Sequence, residues 1–414
     1  MRIIKILALL LGLMPMQLIA QQHTVSLDTI LKRIDENNPM LQTYALRAES
    51  YKHRAEAGSA WMAPMVGAGT FMTPYPGQEV MDGDKGSLML QLEQEIPNPS
   101  KLRAQKVYEA SKADVEFAGR AIASNTLKAR AKNLYYAWII AGQRIKVLRE
   151  NEKIMQMMQK IEEIRYPYNQ SQLSGVYRSR AKIEENENMI RMQQGEIAKA
   201  KAWLNSLMNL PATRPLAIDS TTSPAFTPEA RLDTVLLAGR RKDILQMEQN
   251  IRSMQLGVKA MKNQSKPDFK LRVDHMSPLG SMMPKQYSVM GMVSIPLAPW
   301  SSKMYKSEVK AMNYEIQAME KERVGMLQES HGMLTGMQYE IQSMQKRIAA
   351  MEEKIIPSLR KTMEADFVNY QENKLEVVAV INSWEALTMM QLNVLDEKMK
   401  LYQMIVDYEK ELYR

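Results

Sequence analysis

Residues 86–96 read GSLMLQLEQEI, and this stretch decides the fold because its hydrophobicity alternates with a period of two. A β-strand built from it carries leucines on one face and polar side chains on the other: Leu88, Leu90 and Leu92 against Gln91, Glu93 and Glu95. A sheet with one apolar face and one charged face is therefore expected here.

The second half of the chain contains the same pattern. Apolar and charged residues alternate and a further apolar series follows: Phe269, Leu271 and Val273 with Lys270, Arg272 and Asp274, then Val289, Gly291, Val293 and Ile295. Each run has roughly ten residues, the length of a tilted membrane strand. Turn residues lie at Pro74–Gly77 and Ser277–Gly280. We predict β-hairpins at about residues 64–97 and 267–296; alternation alone would equally suit a soluble sheet.

The two hairpins belong to an internal repeat with an offset of about 204 residues. Three landmarks recur in the same order: Leu27–Leu31 with Leu232–Leu236, Ile96–Pro99 with Ile295–Pro299, and Tyr168–Leu173 with Tyr370–Leu375. This predicts a first repeat at 21–210, a Pro-rich linker at 211–228 and a second repeat at 229–414. Each half reads helix, strand, strand, long helix, helix, so the fold class is mainly α with a membrane β part.

The long helices exceed what a globular core can bury. Residues from Lys101 to Ile164 contain no proline and could form one helix of about 95 Å, and Lys303 to about Ile356 behaves similarly. Apolar residues recur every three or four positions in both, which favours coiled-coil packing. The chain then turns and returns twice, with turns near Tyr166–Asn169 and Asn369–Asn373 and returning helices at about Ser171–Leu207 and Lys374–Tyr413.

The first 20 residues have the order of a secretory signal peptide. Arg2 and Lys5 precede the apolar run Ile6–Met14, and Ala20 supplies a small residue for cleavage. A single transmembrane anchor is the alternative, which Pro15 disfavours by interrupting a short run. No later apolar stretch approaches the ~20 residues of a membrane-spanning helix, so any further membrane insertion must use strands.

Composition excludes several classes of protein. The chain of 414 residues contains no cysteine, which excludes a disulfide scaffold, a thiolate zinc site, an iron–sulfur centre and a Cys nucleophile. We find no nucleophile elbow, P-loop, HExxH motif or convergent carboxylate pair, so neither an enzyme nor a cofactor is expected. The formal charge is +9, but basic residues are interleaved with acidic ones, and nucleic acid is not an expected partner.

Four strands cannot close a barrel, and open sheet edges are not tolerated in lipid. Several copies must therefore share one barrel. Two copies would supply about eight strands, and side chains would nearly fill the interior of such a barrel. Three copies would supply about 12 strands and leave a water-filled lumen. The economical expectation is a homotrimer.

These features resemble the TolC-like outer-membrane efflux channels over essentially the whole mature chain. The resemblance rests on Leu27–Thr29 with Asn38–Pro39, on Gln94–Arg103 and on the hairpin segment Tyr168–Arg178. The family often has Pro-Gly-Lys after the second strand, and this chain has Ser100 in place of the glycine. Residues 170–181 look most like the heavy-metal branch of the family.

The resemblance implies a trimer with a 12-stranded barrel in the outer membrane of a Gram-negative bacterium, continued by a periplasmic α-helical coiled-coil tunnel. Expected partners are a periplasmic adaptor, an inner-membrane RND-type pump that is proton-driven, and outer-membrane lipid. The implied function is passive conduction of pump substrates, either metal ions such as Cu and Ag or drugs, to the exterior. A periplasmic adaptor or coiled-coil scaffold is the alternative, although an adaptor would carry one hairpin rather than two tandem halves.

Channels of this family can carry an acidic ring near the start of the last helix. The aspartates that form this ring in the family would align with Ala379 and Asn382 of this chain, and Glu376 is the nearby acidic residue. We therefore place the candidate periplasmic gate and adaptor contact at the hairpin tips: Arg165, Tyr166, Tyr168, Tyr370, Glu372, Lys374 and Glu376. Solvated turn residues without a gating role are the simpler interpretation of the same positions.

The 36 methionines offer soft thioether ligands for Cu(I) or Ag(I). His275, Met276, Met282 and Met283 cluster around the second strand turn and are the candidate metal ligands. Methionine also fills gaps between packed helices, and this explanation suits most of the others.

Overall fold

The computed structural model describes residues 24–169, 171–296 and 298–413. The predicted signal peptide and its cleavage site lie outside these residues. Within them the elements are α1 (Leu27–Asn37), α2 (Pro39–Ala57), β1 (Met65–Phe71), β2 (Ser87–Ile96), α3 (Pro99–Arg165), α4 (Leu173–Leu207), α5 (Thr234–Arg240), α6 (Lys242–Asn263), β3 (Phe269–Pro278), β4 (Gln286–Val293), α7 (Pro299–Ala350), α8 (Ile356–Gln371) and α9 (Val377–Leu412). The predicted order of helix, strand, strand, long helix and helix in each half is confirmed.

The strands of the two halves form one antiparallel four-stranded sheet in the order β1-β2-β3-β4. β2 and β3 join the halves along their whole length, from Ser87 opposite Pro278 to Ile96 opposite Phe269. The edges of the sheet are β1 and β4. Since each chain repeat contributes one hairpin, the sheet depends on pairing between segments that are distant in sequence.

The two faces of the sheet differ as the alternation predicts. On the apolar face Leu90 and Leu92 are 49% exposed and Val289 is 60% exposed. On the polar face Glu93 and Asp274 are almost completely buried beside cations: Lys270 of the neighbouring strand pairs with Glu93, and Arg272 of the same strand pairs with Asp274. The apolar face is thus the more exposed of the two.

The segment after β2 fixes the sheet to the helices. Lys101 Nζ lies 2.5 Å from Asp268 Oδ2, and the backbone N–H of Asn98 donates to Asp268 Oδ1 at 2.9 Å. The Asn98 side chain donates to the carbonyl of Pro267 and accepts from the N–H of Ser100, at 3.0 Å each. The residues that carry the family resemblance at this point therefore join the first half to the second.

Helix breaks follow local chemistry. Asn38 Oδ1 accepts from the N–H of Met40 at 3.0 Å, and Pro39 occupies the first turn, so α2 starts there as a separate helix. Between α7 and α8 lies a π-helical segment, Met351–Ile355. Because Pro357 has no N–H to give to a carbonyl four residues earlier, the α-helical bonding cannot continue unchanged. The sequence pattern did not predict this bulge.

The described residues divide into two compact units. The first comprises residues up to Glu36, Arg130–Pro224 and Ile348–Tyr402. One of its cores is apolar and includes a cluster of buried residues from α3, α8 and α9: Met155, Met158, Met363, Tyr370, Val377, Val380, Ile381, Trp384 and Leu387.

The second unit comprises Asn37–Ala129, Ala225–Arg347 and the residues from Gln403 onward, and it contains the sheet. Its α6 and α7 pack through Ile251, Val258, Met312 and Ile316, with partly buried methionines around them. No helix among the residues that the structure describes has the length and apolarity needed to cross a membrane.

Candidate functional site

The first hairpin tip lies between α3 and α4. After Arg165 the chain makes a short 3₁₀ turn, Tyr166–Tyr168, and Asn169 then adopts a left-handed conformation with φ of 54°. Asparagine tolerates this conformation better than most residues, which allows the tight reversal. Ser171 Oγ donates to the carbonyl of Glu162 at 3.1 Å and holds the returning chain against α3.

The second tip lies between α8 and α9 and uses the same device. Asn373 is left-handed with φ of 59°, and its N–H donates to the carbonyl of Tyr370 at 3.0 Å. The N–H of Lys374 donates to the carbonyl of Asn369 at 2.9 Å. The two left-handed asparagines are 204 positions apart (373 − 169), which equals the offset of the sequence repeat.

Three side chains join the two tips within the first unit. The hydroxyl of Tyr370 donates to Glu162 Oε1 at 2.5 Å. The guanidinium of Arg165 donates to the carbonyls of Tyr370 and Gln371 at 3.1 and 2.9 Å. The same guanidinium lies 4.8 Å from the centroid of the Tyr370 ring, within the range of a cation–π interaction. We call Glu162, Arg165 and Tyr370 the tip latch.

Burial makes the latch stronger than a surface contact. Glu162 is 1% exposed and Tyr370 is 2% exposed. Burial, followed by the hydrogen bond to Glu162, raises the pKa of Tyr370 above its ordinary value of 10.0. The phenol therefore stays protonated, and remains a donor to Glu162, throughout the neutral range.

Glycine allows α4 to approach the latch. A Cβ atom at Gly175 would lie 2.3 Å from Glu162 Oε2 and 3.0 Å from a methyl group of Val377. Among the described residues Glu162 Oε2 has no hydrogen-bond partner. The latch borders a cavity of about 490 Å³ between the tips, which Gln172, Ser174 and Lys374 also line.

The structure brings only part of the predicted tip set together. Arg165 and Tyr370 are in direct contact, whereas Tyr166 and Tyr168 are exposed and sit in the 3₁₀ turn. Lys374 Nζ pairs with Glu372 Oε2 at 2.5 Å on the surface. Glu376 is also exposed and precedes α9, where its carbonyl accepts from the N–H of Ala379. Their role in gating stays a prediction.

The sequence did not single out Glu162 or Gly175. Glu162 belongs to a charged stretch near the end of α3, where nothing local distinguishes it from Glu163. Its burial depends on Tyr370, which is 208 positions away, and on a glycine in the returning helix. The Gly175 position carries a weak signal, since glycine is uncommon near the start of a long helix unless close packing requires it.

The predicted metal ligands lie at one end of the sheet. His275 and Met276 are consecutive on β3, so their side chains point to opposite faces. His275 Nε2 lies 3.3 Å from Ser277 Oγ. Met282 and Met283 are exposed in the loop before β4. Metal binding by the four residues stays a prediction.

The sheet carries paired charges on its polar face. Lys270 Nζ lies 2.7 Å from Glu93 Oε1, and Arg272 Nε lies 2.8 Å from Asp274 Oδ1.

Exposed tryptophans lie beside the sheet at the end where α3 and α7 begin: Trp61 before β1 and Trp300 at the start of α7. Tyr287, exposed near the opposite end of β4, lies on the apolar face opposite His275.

Comparisons with known proteins identify the fold. No protein-family model matches the chain, and no curated protein matches it in sequence. Several solved structures match 93% of the chain. One is CusC, which forms a transmembrane channel; it is 16% identical, 91% of its own chain is covered, and the TM-score is 0.75. The outer membrane protein VceC of Vibrio cholerae has 16% identity, 95% coverage and a TM-score of 0.71, and the outer membrane channel CmeC of Campylobacter jejuni has 13%, 85% and 0.70. The chain has the fold of these solved proteins.

Proposed function

We propose that this protein is the outer-membrane channel of a tripartite efflux system. It conducts substrates passively from an inner-membrane pump and a periplasmic adaptor to the exterior, without catalysis of its own. The observation that carries the proposal is the sheet with an exposed apolar face and a charged face. The proposal is also supported by the fold that the chain shares with outer-membrane proteins, at TM-scores of 0.70 to 0.75.

Lipid is the natural partner of the apolar face. Leu88, Leu90 and Leu92 on β2 are all close to half exposed in a single chain, which water would disfavour over so continuous a surface. Tryptophan and tyrosine favour the two membrane interfaces, and the exposed Trp61 and Trp300 stand beside one end of the sheet with Tyr287 near the other. The proposal places the sheet in the outer membrane of a Gram-negative bacterium, after export and cleavage near Ala20.

The open edges β1 and β4 call for further copies of the chain. Backbone N–H and C=O groups at both edges need partners in lipid, and pairing β4 of one copy with β1 of the next supplies them. Three copies give about 12 strands, a number compatible with an aqueous lumen. The proposed assembly is a homotrimer in which the polar face of every sheet lines the pore and the helices continue it as a tunnel.

The hairpin tips are the proposed gate and adaptor contact. The tip latch fixes one hairpin to the other through buried groups, while Tyr166 and Tyr168 stay exposed beside it. Docking of an adaptor at the exposed tyrosines would release the latch and open the periplasmic end. The proposed pump is of the RND type, with metal ions or drugs as the conducted substrates.

Detergent extraction of the outer membrane, followed by mass determination and planar-bilayer recording, tests this function. We expect a detergent-requiring trimer that forms pores. A soluble monomer without conductance would contradict the proposal and favour an adaptor or scaffold. A lysine on the apolar face of β2 tests membrane insertion, and a lysine on its polar face is the matched control.

A further inference from the structure

The register of the sheet orders the charges of its polar face into rows. Glu95 lies opposite Lys270, Glu93 opposite Arg272, and Gln91 opposite Asp274. The same face of β4 carries uncharged residues, with Met292 opposite Lys270 and Met290 opposite Arg272. All charges of this face therefore belong to β2 and β3.

Four of the charged residues neutralise one another. Lys270 pairs with Glu93, and Arg272 pairs with Asp274, which also accepts from Ser288 Oγ at 3.1 Å. The side chains of Glu93 and Asp274 are 10% and 6% exposed, so little of their charge faces water. Two cations and three carboxylates give this face a net charge of −1 (2 − 3).

Glu95 makes the carboxylates of this face outnumber its cations, although its charge still attracts the ammonium group of Lys270. Among the described residues no ion pair is formed by Glu95, because the ammonium group of its cross-strand neighbour Lys270 is bonded to Glu93. Glu95 is the next to last residue of β2, close to the point where the sheet ends and α3 begins. In three copies it forms a ring of carboxylates at one level of the pore.

We propose that this ring makes the pore cation-selective, with Glu95 as the selectivity-determining residue. The inference rests on the proposed channel function. Rings of Asp or Glu select cations by attracting them into the pore and repelling anions. After cleavage near Ala20, which removes Arg2 and Lys5, the chain has a formal charge of +7 (9 − 2), so its overall field would favour anions, and the sign of the selectivity separates the local ring from that field.

The experiment is the reversal potential of purified protein in planar bilayers under a KCl gradient. At about 0.01 M salt the Debye length is about 30 Å, which is comparable with a wide pore, whereas at 1 M it is about 3 Å. We expect the wild-type pore to prefer K⁺ at low salt and to lose most of this preference at 1 M. Glu95→Gln should bring the permeability ratio towards one, and Glu95→Lys should reverse the preference.

Two further variants make the result specific. Lys270→Gln leaves Glu93 without its cation and should raise the K⁺ preference, the opposite of Glu95→Gln. Glu56→Gln removes one exposed negative charge from α2 and should leave selectivity unchanged. If Glu95→Gln does not assemble, Glu95→Ala removes the same charge and decides the inference in its place.

The outcomes separate the two proposals. A wild-type protein that forms no pores contradicts the channel function. A pore that conducts but prefers anions, or whose reversal potential is the same in Glu95→Gln as in wild type, overturns the inference and leaves the channel function intact.

Discussion

Tyr370 and Glu162 are 208 positions apart, yet the phenol of one donates to the carboxylate of the other at 2.5 Å in a buried environment. The two residues come from the tips of the two tandem hairpins. A contact of this kind restrains both hairpins at once, because either turn can move only if a buried hydrogen bond is broken or carried along. This is why we regard the tip latch, rather than the exposed turn residues, as the structural element of the proposed gate.

Removal of the phenolic hydroxyl should weaken the latch. Tyr370→Phe leaves the ring in place but deprives Glu162 of its donor, at a cost of about 1–3 kcal/mol in the free energy of unfolding. We expect a lower thermal midpoint in detergent and a more frequently open pore in single-channel recordings. Glu162→Gln keeps an acceptor for Tyr370 and should change both quantities less. An equal open probability for wild type and Tyr370→Phe would show that the latch has no role in gating.

Arg165 should contribute separately. Arg165→Ala loses two hydrogen bonds to backbone carbonyls and the contact with the Tyr370 ring, whereas Arg165→Lys retains a cation but cannot reach both carbonyls with one planar group. We expect Arg165→Ala to increase the open probability and Arg165→Lys to give an intermediate value. Single-channel recording of both variants checks this, and indistinguishable traces for Arg165→Ala and wild type would contradict it.

Gly175 tests the close approach of α4 to the latch. A methyl group there would overlap Glu162 Oε2 and touch Val377, so Gly175→Ala should displace Glu162 and lower the thermal midpoint. The matched control is Gly195→Ala in the same helix, where nothing lies within 4 Å of the added atom. Since alanine favours helices over glycine by about 1 kcal/mol, the control should stabilise the protein. Stabilisation by both substitutions would show that α4 has more room at the latch than the structure indicates.

The pH dependence of the latch has a definite sign. The folded-state pKa of Tyr370 is raised above 10.0, so the unfolded state releases this proton first as the pH rises. The contribution of Tyr370 is therefore complete below about pH 10 and is lost above it. We expect the thermal midpoint of wild type to fall more steeply above pH 10 than that of Tyr370→Phe. Tyr135 and Tyr413, whose pKa values are also raised, remain in both proteins, so the difference isolates Tyr370.

The features that could be predicted from the sequence are those that depend on residues close to one another along the chain. Alternating side chains in residues 86–96 indicate a strand by themselves, and Tyr-Pro-Tyr-Asn at 166–169 contains its own turn chemistry. The burial of Glu162 could not be predicted in this way, because it depends on Tyr370 in the other half of the chain. The π-helical segment before Pro357 likewise reflects a choice among ways of accommodating a proline, and a bend or a full break would have suited the same residues.

The junction between sheet and helices should depend on Lys101 and Asp268. Their side chains are only 12% and 24% exposed, and Asp268 also accepts from the backbone of Asn98. We expect Lys101→Ala to lower the free energy of unfolding by about 1.5–3 kcal/mol, the range for hydrogen bonds to charged groups. Lys52→Ala, which breaks an exposed pair with Glu49 within α2, should cost under about 1 kcal/mol. Denaturant unfolding in detergent checks both, and equal losses would mean that Lys101 stabilises no more than a surface lysine.

Two adjacent positions on β2 test which face of the sheet meets lipid. Leu90 lies on the exposed apolar face and Gln91 on the polar face, so lysine at one position would face the bilayer and at the other the pore. A lysine facing the bilayer midplane costs about 2–4 kcal/mol, and three copies of the chain multiply that cost in one assembly. Leu90→Lys should therefore reduce the amount of protein in the outer-membrane fraction, while Gln91→Lys should insert and conduct. Because both variants add the same charge to the same strand, neither net charge nor strand propensity can explain a difference between them. If Gln91→Lys were the variant that failed to insert, the faces would be reversed and the charged side chains could not line a pore.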